Sequence, residues 1–140
     1  MTYRRLFRVG LGALALVSLQ IGAWALLAPQ SFYDDYPGLG RTWVSVDGPY
    51  NEHLVRDVGA LNLALVVLLV AAAVTLSRPL VITAAAATLA WGAPHLIYHL
   101  AHTDDLDASD VVASLGGLAL FVAIPIVLIA LTPRLEPADR

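Results

Sequence analysis

LVRDVGALNLALVVLLVAAAVTL at residues 54–76, then Ser77-Arg78-Pro79, then LVITAAAATLAWGAPHLIYHLA at residues 80–101: two long apolar runs only three residues apart decide the fold. A helix needs about 19 to 20 apolar residues to cross roughly 30 Å of hydrocarbon, and each run reaches that length. Proline cannot continue the helix before it, so Ser77-Arg78-Pro79 reads as a very tight turn between neighbouring helices. Runs of this length exclude the strands of an outer-membrane barrel, which alternate over about 10 residues. Working outward, a run from about Leu6 to Ala28 is interrupted only by Arg8, Ser18 and Gln20, and another extends from about Val111 to Leu131. The expectation is all-α: an integral membrane antiparallel four-helix bundle, a single membrane domain over residues 1–140, with a long outer loop between the first and second helices.

Composition agrees. The 140 residues are 59% hydrophobic and only 14% charged, whereas charged residues make up about a quarter of a soluble domain. Mean hydropathy is +0.74. There is no cysteine, which excludes a disulfide framework, an iron–sulfur site, a haem c motif and a thiol catalyst. A net charge of −3 without a basic stripe argues against nucleic acid. The start of the chain, with Arg4, Arg5 and Arg8 before the apolar run and small residues at Ala25 and Ala28, shares features with an export signal. Thr2-Tyr3-Arg4-Arg5-Leu6-Phe7 faintly resembles a twin-arginine start. The run is long enough to span, and it is read as a retained helix.

Arginine sets the orientation. Six of the eight, Arg4, Arg5, Arg8, Arg78, Arg134 and Arg140, fall on one side if all four runs cross, and the positive-inside rule makes that side cytoplasmic. Asp34, Asp35, Asp47, Glu52, Asp104, Asp105, Asp107 and Asp110 fall on the other, with Asp57 just inside the second run. The expectation is a multi-pass protein of the bacterial inner (plasma) membrane with both termini cytoplasmic. Ser109 or Asp110 is available to cap the fourth helix, and Asn51 the second. The loop from Pro29 to Tyr50 carries Phe32, Tyr33, Tyr36, Trp43 and Tyr50, five of the chain's eleven aromatics. Either it folds as a lid on the bundle, or its aromatics form an interfacial belt.

All four histidines fall near the same outer face. His95, His99 and His102 are spaced by four and three, which puts them on one helix face, and Thr88, Trp91 and Tyr98 extend the stripe over roughly 21 Å. An ionisable group at the depth of His95 is costly and usually faces a bundle interior. Pro94 removes a helical hydrogen bond beside it, and membrane helices tolerate this where neighbours satisfy the freed carbonyl. In the second run, His53 and Asp57 are four apart, as are Glu52 and Arg56, and these stripes are expected to face the third helix's histidines. Asn62 is expected to hydrogen-bond across helices.

Three readings of this cluster stay open. One is a metal site drawn from His53, Asp57, His95, His99 and His102, with Glu52 as a further carboxylate. An i, i+4 histidine pair completed by a carboxylate suits a divalent transition metal such as zinc, iron or copper. The second is a structural polar network. The third is a proton, quinone or small polar-ligand site with histidine as the titrating group. Four histidines are too few for the boxes of desaturase-like enzymes. No Gly-x-Ser-x-Gly elbow, Walker loop, dinucleotide fingerprint or His-Glu-x-x-His motif is present. Thr103-Asp104-Asp105-Leu106-Asp107 lacks the glycine and terminal glutamate of an EF-hand and reads as a solvated acidic exterior.

Three stretches carry a resemblance: Gly22-Ala23-Trp24-Ala25-Leu26-Leu27-Ala28-Pro29, Val55-Arg56-Asp57-Val58-Gly59-Ala60-Leu61-Asn62-Leu63-Ala64, and Pro94-His95-Leu96-Ile97-Tyr98-His99. In these the chain resembles the small four-span bacterial membrane proteins grouped as DoxX-like or as domains of unknown function, and arginine without lysine suits an actinobacterial source. The resemblance implies a four-helix bundle with an accessory role beside redox enzymes, and carries no catalytic residue. Residue pattern and resemblance together lead to a binding or accessory subunit with lipid around it, in a homo-oligomer or larger membrane complex. Gly10, Gly12, Gly22, Gly116 and Gly117 would permit close helix contacts within the bundle or between subunits. The alternative is a metal-dependent membrane enzyme, or a metal-, proton- or quinone-handling protein, using His95 and His99.

Overall fold

The computed structural model describes residues 3–135, so Arg140, Thr2 and the chain ends used in the orientation argument lie outside the described residues. The described residues are all-α apart from one minimal hairpin. Helix α1 (Tyr3–Leu27) is followed by a short α2 (Pro29–Asp35), strands β1 (Pro37–Gly38) and β2 (Arg41–Thr42), and a 3-10 turn at Ser45–Asp47. Then come α3 (Glu52–Thr75), α4 (Arg78–Ala101), α5 (Ala108–Leu131) and a last 3-10 turn at Thr132–Arg134. Four of these helices, α1, α3, α4 and α5, are long and apolar enough to cross a membrane.

The helix starts follow from local chemistry. Asn51 Oδ1 accepts the Leu54 N–H at 3.2 Å, capping α3 as its residue type suggests. For α5 the cap is Asp107, ahead of both expected residues: its Oδ1 accepts from Ser109 N at 2.8 Å and Asp110 N at 2.9 Å. The helix therefore begins three residues before the hydropathy does. Between α3 and α4 only Leu76 and Ser77 are non-helical. Leu76 adopts a left-handed backbone (φ 51°) and gives its N–H to the Ala72 carbonyl at 2.9 Å, while Pro79 sits in the first turn of α4. That backbone costs a non-glycine residue roughly 1–2 kcal/mol. Burial of the Leu76 side chain in the core offsets it.

Helix α1 packs mainly along α3, and α4 along α5, with α3 meeting α4 less extensively. The closest approach is between α1 and α3. A Cβ on Gly59 would stand 2.6 Å from Leu26 N, and one on Gly22 would stand 2.9 Å from the Leu63 side chain. Gly92 similarly admits the Phe121 ring, at 3.0 Å from where its Cβ would be. Of the other glycines expected to permit close contact, Gly10 lies against Leu128, while Gly12, Gly116 and Gly117 meet nothing within 4 Å.

The buried apolar residues form two clusters. One, towards the Leu76–Ser77 turn, gathers Phe7, Leu11, Leu14, Leu65, Leu69, Leu76, Val81, Phe121 and Leu128. The other, under the lid, holds Ala25, Phe32 and Val55, with Trp24, Tyr36, Val44 and Tyr50 packed on it. Along α1 and α3 the two are separated by the buried small and polar residues Ser18, Gly22, Gly59 and Asn62.

Candidate functional site

The loop between α1 and α3 is folded. Phe32 and Tyr36 rings lie 4.8 Å apart, Trp24 meets both edge-on near 6 Å, and Trp43 meets Tyr36 edge-on at 6.1 Å. The Tyr33 hydroxyl donates to the Gly48 carbonyl at 2.5 Å, and its ring packs 5.3 Å from Tyr50. Burial pushes the Tyr36 phenol above its ordinary pKa, since the charged form would lose its water. An ion pair between Arg41 and Asp110 pins this lid to the start of α5.

On α4 the expected stripe is present as a ladder of rings. Trp91 stacks on His95 with centroids 5.1 Å apart and planes 16° from parallel; His95 meets His99 edge-on at 4.7 Å. Tyr98 meets His99 edge-on at 5.4 Å and stacks on His102 at 4.1 Å. His102 Nδ1 is 2.8 Å from the Tyr98 carbonyl, a bond in which the N–H tautomer donates. Thr88 is fully buried and donates to the Ala84 carbonyl at 2.9 Å, so its hydroxyl is satisfied within its own helix.

The stripe on α3 does not meet this ladder. His53 Nε2 and Asp57 Oδ2 are 3.1 Å apart, as the four-residue spacing implies, but their side chains are 88% and 62% exposed. Val55, Gly59, Asn62, Leu65, Leu69 and Ala72 form the buried face of α3. At 3.6 residues per turn, His53 and Asp57 fall nearly opposite it. Arg56 Nε donates to Glu52 at 2.8 Å, and another guanidinium N–H reaches the Leu26 carbonyl near the C-terminus of α1, where a cation is favourable. Asn62 does not bridge helices through its amide nitrogen, which donates to the Val58 carbonyl of its own helix at 2.9 Å. Its Oδ1 and the Ser18 Oγ are buried without a protein partner.

His53 and Asp57 therefore stand apart from His95, His99 and His102. Among the described residues no three His, Cys, Asp or Glu side chains come together as a group able to hold a metal ion. What the structure assembles instead is a cavity of about 140 Å³ between lid and ladder. Trp43, Val46 and Asp47 wall it from the lid, Tyr98, His99 and His102 from α4, and Asp104, Asp105 and Leu106 from the following loop. Sequence reasoning set Asp104 and Asp105 aside as solvated and gave Trp43 no site role. One signal was available for the lid's attachment. Arg41 and Arg56 are the two arginines outside the inner set, and each has a carboxylate partner, Asp110 and Glu52 respectively.

No protein-family model, curated protein or solved structure matches the chain.

Proposed function

We propose that this is an integral membrane protein of a bacterial inner membrane, an antiparallel four-helix bundle with both termini cytoplasmic, that binds a small organic cation at its outer face. The membrane reading is supported by the helices' exposed surface, which carries Leu16, Leu19, Val67, Val70, Val74, Ile82, Ile97, Leu120 and Ile126. That much exposed apolar surface suits lipid, since the helices satisfy their own backbone groups. The arginines at the turn end and the carboxylates at the lid end support the orientation.

The cavity between lid and ladder carries the binding reading. Its three carboxylates, Asp47, Asp104 and Asp105, attract a cation, and the aromatic side chains of Trp43 and Tyr98 line the same space. His99 and His102 add ring nitrogens to the same wall. At about 140 Å³, the space is smaller than the roughly 300–1,000 Å³ of pockets that hold drug-sized ligands, so the ligand has few heavy atoms.

Calorimetric titration of the purified protein with methylammonium and tetramethylammonium tests this. Saturable binding is expected, weakened roughly tenfold or more, about 1.4 kcal/mol, in Asp104→Asn/Asp105→Asn. Absence of saturable binding to either cation, in protein of unchanged thermal stability, overturns the reading.

A further inference from the structure

A second cavity, of about 320 Å³, lies at the opposite end of the molecule between α1 and α5. Leu6, Val9, Gly10 and Ala13 line it from α1, and Ala123, Ile124, Val127 and Leu128 from α5. All eight are apolar. At 1.5 Å per residue, Leu6 to Ala13 makes a channel roughly 10 Å long parallel to the helix. Its floor is the contact between Gly10 and Leu128, where a Cβ on the glycine would meet the leucine at 3.3 Å. Val9, Ala13, Ala123 and Val127 are exposed, so the channel opens outward along its length.

Charge brackets one mouth of this channel. Arg134, just beyond α5, donates to the Tyr3 hydroxyl and lies over the Tyr3 ring, 5.2 Å from its centroid. Tyr3 is one turn ahead of Leu6. On the other flank, Arg5 is exposed and about a quarter turn from the Leu6–Val9–Ala13 line. A wholly apolar channel with guanidinium groups on both sides of one end matches an acyl chain joined to an anionic phosphate. Basic pockets between helices on the cytoplasmic side hold lipid head groups in this way, and guanidinium pairs with phosphate oxygens bidentately.

We propose that the α1–α5 channel is a binding site for one anionic phospholipid, its acyl chain between Leu6 and Leu128 and its phosphate between Arg5 and Arg134. This rests on the membrane reading above and is independent of the cation cavity. A bound lipid fills the space where α1 and α5 fail to close on each other, and so links the first and last helices of the bundle.

Native mass spectrometry of the detergent-purified protein tests it, with phosphatidylglycerol and phosphatidylcholine of identical acyl chains as probes. One phosphatidylglycerol per chain should be retained in preference to phosphatidylcholine. Arg5→Gln/Arg134→Gln should bring the two lipids to equal retention. Ala13→Phe, at an exposed position, should remove both by filling the channel without touching the core. Equal retention of both lipids by the unaltered protein, or unchanged retention in Ala13→Phe, overturns the proposal. A dimer that Ala13→Phe abolishes also overturns it and gives the channel to a second copy. Extraction of native membranes with alkaline carbonate, done first, separates the two failures: a chain released into solution refutes the membrane reading, whereas a retained chain leaves the lipid result to judge the channel alone.

Discussion

At one end of the molecule α3 passes into α4 through two residues, while at the other α1 reaches α3 through a helix, a hairpin and a 3-10 turn. The turn end is closed by packing. Leu76 holds a strained backbone because its side chain belongs to the larger apolar cluster, and every neighbour in that cluster is an aliphatic or aromatic side chain. The lid end is closed by edge-on rings, a tyrosine hydroxyl and one ion pair. Packing of the first kind tolerates little change. Contacts of the second kind, made over a loop, can open and reform without unfolding the helices. The cavity with chemistry in its walls is at the second end.

Substitutions can break this contrast, starting where the effect is largest. Gly59→Leu strikes the seam that joins both ends, because its Cβ alone would stand 2.6 Å from Leu26 N, a backbone atom. A loss at or beyond the upper end of the roughly 1–3 kcal/mol for overpacking is expected, seen as a lowered thermal midpoint in detergent and loss of both clusters together. An undiminished midpoint would mean that α1 and α3 can slide apart. Leu69→Ala, fully buried at the turn end, should cost about 2–5 kcal/mol. Its effect should be global, with no change confined to the lid.

Arg41→Ala sharpens the contrast from the other side. The Arg41 and Asp110 side chains are 36% and 15% exposed, and an ion pair near the surface contributes at most about 1 kcal/mol. The thermal midpoint should barely move, while amide exchange rises across residues 37–47. Unchanged exchange there would show that the aromatic contacts alone hold the lid.

The smallest effect concerns Asp107. The Asp110 backbone N–H and then the contacts with Ser109 hold its carboxyl below the ordinary carboxylate range. With the folded pKa below the unfolded one, the cap's contribution is complete above the unfolded value and is lost as pH falls through the folded one. Protection of the Ser109 and Asp110 amides, taken against the intrinsic exchange rate at each pH, should therefore fall as acid protonates Asp107. Asp107→Asn, which keeps an acceptor but cannot titrate, should flatten that dependence.

The elements were legible because hydropathy acts over whole turns. Spans read as starting at Leu54, Leu80 and Val111 begin two or three residues earlier, at caps or prolines that carry no hydropathy. The ladder on α4 was legible for a related reason, since the spacing of Trp91, His95, Tyr98, His99 and His102 alone sets which rings can touch. The rotation of α3 about its own axis was not. Where His53 and Asp57 point depends on which face of α3 meets α1, and two glycines, Gly22 and Gly59, decide that by letting the backbones approach. A glycine advertises its absence of bulk, not the helix it will meet. Trp43 reached the cavity through the path of the whole lid, which only the folded rings around Tyr36 determine.

The two-residue link at Leu76–Ser77 also constrains how the chain is made. On the membrane reading the link lies on the cytoplasmic side, so as soon as α3 has crossed, two residues hold the start of α4 at the membrane surface beside it. The pairs whose connections face outward are α1 with α3, joined by the lid, and α4 with α5, joined by residues 102–107, and these would enter lipid in that order. The lid, carried outward between α1 and α3, could be pinned by Arg41 only once Asp110 arrived with the second pair. Biogenesis would then finish with the outer cavity, assembled last by the final helix to enter.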